Sequence, residues 1–190
     1  VALKLIDIGR IKRMKDATLG LIDESINRDA LISPTGTHRY LLTRSWAMRE
    51  PHTCFIMLNP STADASVDDP TIRRCMGFAR AWGSGSIAVV NLFAFRATNP
   101  KALRQERDPI GHENNMHIQL AVEDAERIVL AWGAQGDLYD RDLEVLDLLK
   151  SYQLYTLGVT KAGHPKHPLY LKRDAELSPW EAPFTTRYLL

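Results

Sequence analysis

Three polar stretches carry most of the side chains that could do chemistry, and each follows or ends an apolar run. Asn59 closes Cys54-Phe55-Ile56-Met57-Leu58 and opens Asn59-Pro60-Ser61-Thr62. A carboxamide offers a carbonyl acceptor and an amide donor but no base, so it can orient water or hold a polar ligand edge. Its structural alternative is an Asx turn before Pro60. Asn91 is embedded in Val89-Val90-Asn91-Leu92-Phe93, where an amide has to find partners in apolar surroundings. The edge of a pyrimidine or purine would supply them, and so would neighbouring backbone. His164 and His167 stand in His164-Pro165-Lys166-His167-Pro168, each followed by a proline that stiffens the chain in extended conformations. An imidazole held this way can transfer a proton or stabilise developing negative charge. The alternative is a pair of surface histidines in a basic loop.

Charged and aromatic groups surround these amides and imidazoles. Asp64, Asp68 and Asp69 follow Asn59, and Asp69 before Pro70 reads as a helix N-cap. Asp64 and Asp68 could activate water or bind a cation, or belong to a solvated loop. Arg73 and Arg74 could grip phosphate or line a solvent-facing helix. Lys161, Lys166, Lys172 and Arg173 make the histidine stretch locally positive, which suits a phosphate backbone. Phe93, Phe95 and Trp132 could stack on a base or pack in the core. No third ligand accompanies the two histidines, so no metal centre is expected. The Gly-rich phosphate loops, the nucleophile elbow and the zincin motif are absent, and no cofactor is expected.

The elements that would position these groups are legible as four apolar runs: 54–58, 86–93, 127–132 and 155–159. Runs without polar alternation fit strands buried on both faces, as in parallel sheets. Helical patterns separate them. Pro70 to Ala81 buries Ile72, Cys75, Met76 and Ala79; His112 to Ala125 turns Met116, Leu120 and Ala121 inward; Asp140 to Leu149 presents Leu143, Val145, Leu146 and Leu149. Ala30 to Arg44 reads as a β-hairpin about Pro34-Thr35-Gly36-Thr37, followed by Trp46 and Met48 as core residues. The expected fold is a three-layer α/β/α domain over residues 30–190, with a mainly parallel four-stranded sheet and an N-terminal β-hairpin. Residues 1–29 read as an extension with a loose helical period between Ile11 and Ile26. Right-handed crossovers bring the loops after successive parallel strands to one sheet edge, where α/β proteins bind ligands. Asn59, Asn91, Trp132 and the two histidines should therefore meet in one cleft.

Composition agrees with a globular domain: 45% of residues are hydrophobic, 25% are charged and the net charge is +1. That balance excludes a globally basic nucleic-acid binder and leaves room only for a local patch. The two cysteines, Cys54 and Cys75, fall in an apolar strand and a helix stripe, which suits reduced, buried thiols in the cytoplasm. No apolar window approaches the roughly 18 residues of a membrane helix, so no membrane partner is expected.

Two resemblances add to this reading. RYLLTRSW, FIMLNPSTADASVDDPTIRRC, VVNLFAFRATNP and GHPKHPLYL together resemble the domain of unknown function 1643, an uncharacterised bacterial and phage family, over roughly residues 30–171. The order of motifs is also similar to the uracil-DNA glycosylase superfamily: Met57-Leu-Asn-Pro-Ser61 to its first motif, Ala88-Val-Val-Asn-Leu-Phe93 to its base-reading strand, Ile128 to Gly136 to its L-L-W-G strand, and His164 to Leu169 to its late H-P-S-P-L motif. This second resemblance implies that Asn59 positions the attacking water, Asn91 reads the base, and His164 or His167 stabilises the departing base. Pro60, Ser61, Phe93, Trp132 and Lys166 would contact the substrate, with Asp64, Asp68, Arg73 and Arg74 in support. The implied partner is DNA or a nucleotide, and the implied reaction is hydrolysis of an N-glycosidic bond. Met57 stands where that first motif carries glycine, and Lys166-His167 where the late motif carries serine. Two rival expectations are a nucleic-acid or nucleotide-binding module without chemistry, and a metal-assisted phosphohydrolase built on Asp64, Asp68 and the histidines.

Overall fold

The computed structural model describes residues 26–47 and 50–182. The helix expected between Ile11 and Ile26 lies, but for its last residue, outside the described residues, and so does Met48. Among the described residues seven strands form one sheet: β1 (Asn27–Ile32), β2 (Arg39–Ser45), β3 (His52–Met57), β4 (Ser86–Asn91), β5 (Arg127–Leu130), β6 (Leu154–Thr156) and β7 (Ser178–Pro179). Their order is β1-β2-β4-β3-β5-β6-β7. The α-helices among the described residues are α1 (Pro70–Ala81), α2 (Asn114–Glu123) and α3 (Arg141–Leu148).

The four apolar runs are the parallel strands β4-β3-β5-β6. The sheet, however, has seven strands rather than four. The hairpin, which starts at Asn27 rather than Ala30, joins β4 antiparallel through β2, and β7 pairs antiparallel with β6. The reason is the edge. A short parallel unit leaves rows of unpaired N–H and C=O groups at both sides, and the antiparallel strands satisfy them.

Alternate residues of the central strands feed two cores. Cys54, Ile56, Ala88, Val90, Ile128 and Leu130 pack with Ile118 and Val122 of α2 and Val145 of α3. Phe55, Met57, Ile87, Val89 and Val129 pack with Ile72, Cys75, Met76, Phe78 and Ala79 of α1. Helices therefore cover both faces, which is why these strands read as continuous apolar runs. Both cysteines are free and buried, and burial pushes the Cys54 thiol up to about 12.

Local signals set α1. Asp69 caps it by accepting from the Ile72 N–H at 2.8 Å, and Pro70 occupies the first turn, where its missing N–H is harmless. In α2 two of the three residues expected inward face out: Met116 and Leu120 are 48% and 57% exposed, while Ala121 packs half-buried against the core and Asn114, Ile118 and Val122 are buried. A polar contact sets this rotation. Asn114 Nδ2 donates to the carbonyls of Asn91 and Leu92 at 3.0 Å each, and Arg141 Nε donates to the Leu92 carbonyl at 2.8 Å. Two helices thus clamp the carboxyl end of β4. Among the described residues no helix is long and apolar enough to cross a membrane.

Candidate functional site

Strand β3 pairs with β4 on one side and β5 on the other, in a register that sets Met57 beside Asn91 and Ile56 beside Leu130. The connection after β3 leads to one neighbour and the connection after β4 leads across β3 to the other, so the following loops part at this point. Open α/β sheets hold ligands where strand order reverses in this way. A cleft of about 330 Å³ lies here, with Asn59, Asn91, Trp132 and His167 among its walls together with Arg39 and Asp69. That volume falls at the lower end of the roughly 300–1,000 Å³ of small-molecule sites.

Asn59 is tied in place by its amide nitrogen, which donates to the carbonyls of Ala97 at 2.8 Å and Pro60 at 3.0 Å. The group it offers to the cleft is therefore its carbonyl oxygen, an acceptor suited to a water proton or an N–H edge. Asn91 is the reverse case. It is 1% exposed, and its Nδ2 is buried with no hydrogen-bond acceptor among the described residues. Native proteins leave few such groups, because an unmade buried hydrogen bond costs about 1–3 kcal/mol.

The two histidines separate. His167 lines the cleft, whereas His164 is buried in the loop behind it and is not among the lining residues. The loop folds back on the segment that follows β6: Lys166 N–H donates to the Gly158 carbonyl at 2.8 Å, and the His164 N–H to Thr160 Oγ1 at 3.1 Å. His167 Nδ1 accepts from the Leu169 N–H at 3.3 Å, so the neutral ring carries its proton on Nε2. Burial lowers the His167 pKa from its ordinary 6.5, with the Asp69 charge opposing, so the ring is a neutral donor near pH 7. Trp132 is buried along the cleft wall. Its loop is joined to the histidine loop by the Gly133 N–H, which donates to the Pro165 carbonyl at 2.9 Å. A Cβ at Gly136 would lie 2.1 Å from the Trp132 indole, so only glycine lets the backbone pass this close.

Of the other expected contacts, Ser61 lines the cleft. Pro60 and Phe93 are buried away from it, Phe93 in the core under α2 and α3, and Lys166 is exposed outside it. Asp64 and Asp68 do not reach the cleft either. The Asp64 carboxylate accepts from the Ser66 and Val67 N–H groups and the Ser66 hydroxyl, which hold its pKa down at about 2. Asp68 pairs at 2.6 Å with Arg44, a fully buried cation. Both carboxylates organise their own loop, and among the described residues no three His, Cys, Asp or Glu side chains gather as metal ligands. Arg73 and Arg74 project from α1 into a neighbouring groove of about 700 Å³, shared with Arg173 and Phe78. Arg73 donates to the Asp68 carbonyl and Arg74 to the Leu171 carbonyl.

Two charged cleft residues escaped the sequence reading. Asp69 was legible only as a cap, yet it also lines the cleft. Arg39 opens β2 and is 2% exposed on the cleft wall. The available signal was its neighbourhood, an arginine directly before the apolar strand Tyr40-Leu41-Leu42. The cleft thus combines a buried amide donor, a carbonyl acceptor, a neutral imidazole, an indole and a buried cation. This set can hold a flat, polar ligand and stabilise negative charge on it.

A family described as Protein of unknown function (DUF1643) matches residues 39–169, a span that contains each of these cleft groups. No curated protein and no solved structure matches the chain.

Proposed function

We propose that this chain, which belongs to the DUF1643 family, binds a nucleobase of DNA or of a nucleotide in the cleft beyond β3, β4 and β5 and hydrolyses its N-glycosidic bond. The buried Nδ2 of Asn91, left without an acceptor on the cleft wall, carries the reading. A base carbonyl or ring nitrogen supplies the missing acceptor, and Trp132 gives the base an apolar wall. The motif resemblance to the uracil-DNA glycosylase superfamily supports the same assignment.

In this reaction the Asn59 carbonyl orients a water molecule. Its oxygen bonds to the sugar carbon as the carbon–nitrogen bond breaks, and the bonding pair leaves with the base. His167 Nε2–H donates to the negative charge that develops there, and the proton released by the water neutralises the base. The test is base release from uracil-containing single- and double-stranded DNA and from free nucleotides, followed chromatographically. Asn91→Ala and His167→Ala should each lower release roughly 100-fold or more, the range for a positioned proton donor, with the fold intact. Release unchanged by both substitutions would overturn the mechanism.

One observation favours a binding module without chemistry. Asp69 is the carboxylate among the lining residues, and it caps α1, which leaves the cleft without a dedicated general base. Tight nucleotide binding with no product over long incubation would select that reading.

A further inference from the structure

Three arginines are buried among the described residues: Arg39, Arg44 and Arg141. Two of them have carboxylate partners. Arg44 pairs with Asp68 at 2.6 Å and donates to the carbonyls of Thr43 and Asp64, at 2.7 and 2.6 Å. Arg141 pairs with Glu144 at 2.7 Å and donates to the Leu92 carbonyl and to Asn115 Oδ1. Arg39 differs from both. Its Nη1 donates to the Ala63 carbonyl at 2.8 Å, its Nε is buried with no acceptor, and no carboxylate among the described residues lies within ion-pair distance. Asp69 is the carboxylate that influences it most, and that group is engaged with the first turn of α1. Burial pushes the Arg39 guanidinium down to about 10, so it remains charged at neutral pH.

A charge taken out of water is kept when it is paired or hydrogen-bonded, and Arg39 is neither paired nor fully bonded. It is also the one of the three that lines the cleft, which Ser61 and the start of α1 at Thr71 and Ile72 line as well. A guanidinium with free N–H groups matches the oxygens of a phosphate, and an oxyanion here would supply both the missing charge and the missing acceptor.

We infer that Arg39 is the anion-binding subsite of the cleft and that the ligand taken there is phosphorylated, its phosphate seated on the Arg39 guanidinium beside Ser61 and Thr71. This deepens the base-binding reading of the same cleft and rests on it for the rest of the ligand. The phosphate contact is tested without a base, so the two readings fail separately.

Inorganic phosphate is the probe, titrated into the wild-type full chain labelled with ¹⁵N, with the arginine Nε–Hε resonances assigned through the backbone. The Arg39 resonance should shift saturably, whereas Arg44 and Arg141 should not move. Arg39→Lys keeps a cation but loses the planar fork, and should weaken phosphate binding at least tenfold. Should that variant fail to fold, the wild-type titration decides alone. A mononucleotide should then bind more tightly than its nucleoside to the wild type, with the difference lost in Arg39→Lys. Phosphate shifting only Arg73, Arg74 or Arg173, or no arginine at all, would overturn the assignment. Phosphate that shifts Arg39 while nucleoside and nucleotide bind no better than phosphate would leave the anion site standing and remove the base reading instead.

Discussion

Replacing Asn91 by leucine should make the protein more stable while it destroys the cleft's recognition. Asn91 is 1% exposed, and its amide nitrogen makes no hydrogen bond among the described residues. Burying an unmet donor costs about 1–3 kcal/mol, and removing the polar group altogether avoids that cost. Leucine has nearly the same shape, so it neither leaves a cavity nor forces much repacking beside Met57 and Leu92. The expected gain is about 1–2 kcal/mol of unfolding free energy, or roughly 2–6 °C in Tm for a chain of this size. Urea and thermal unfolding followed by circular dichroism measure it, and nucleobase binding measured in parallel should fall at least tenfold. Asn114→Leu is the control. That side chain is also buried and its Oδ1 is likewise unmatched, but its Nδ2 makes two hydrogen bonds to the end of β4, so its loss, which strands both carbonyls, should destabilise by about 1–3 kcal/mol. A loss of 2 kcal/mol or more in Asn91→Leu would refute the reasoning, because the amide would then be holding the native fold together rather than waiting for a ligand.

Two further outcomes follow from the charges around the cleft. Asp68→Ala strips the carboxylate from the fully buried Arg44. Breaking such a pair costs about 3–5 kcal/mol, and the carbonyl acceptors left to Arg44 offset part of it, so a loss of about 2–3 kcal/mol is expected by urea unfolding. A loss under about 1 kcal/mol would show that the loop does not need the pair. Stability should also fall as pH drops below 6.5. Burial depresses the pKa of His167, and of His52 and His117, so on acidification the unfolded chain takes up protons first. Their contribution is fully present above 6.5 and is lost as pH falls through the lowered folded-state values. NMR titration of the imidazoles should place the His167 midpoint below 6.5; a midpoint at or above it would contradict the neutral donor assigned to the cleft.

How the groups come together was legible where local pattern and chain topology suffice. The runs at 54–58, 86–93 and 127–132 lack polar alternation, which identifies strands covered on both faces, and parallel strands send their following loops to one edge. Asn59, Asn91 and Trp132 follow from that, and His167 follows from the strand ending at Thr156. Asp69-Pro70 was readable as a helix start because capping is decided within one turn. Local pattern does not say which of two neighbouring histidines faces a cleft. His164 and His167 are three residues apart, and the hydrogen bonds that fold their loop onto the segment after β6 turn one inward and the other to the cleft.

Charges were the least legible. Asp64, Asp68 and Asp69 stand close together in the chain, yet one closes its own loop, one neutralises Arg44 from β2, and one caps α1 at the cleft. Arg39 and Arg44 sit on the same strand, and nothing local tells which meets a carboxylate. That is settled by contacts more than twenty residues apart, to Ala63 for the first and Asp68 for the second. The amino-acid sequence by itself determined the parallel strands, the hairpin, the capped helix and the amides at the strand ends, because those depend on periodicity and on neighbours in the chain. Tertiary structure alone decided which polar groups were consumed by the fold and which were left unmatched in the cleft. A hydrogen bond or ion pair is satisfied only in three dimensions, and the groups left unmatched among the cleft residues, Asn91 Nδ2, Arg39 Nε and the Trp132 indole N–H, are the ones that point to a ligand.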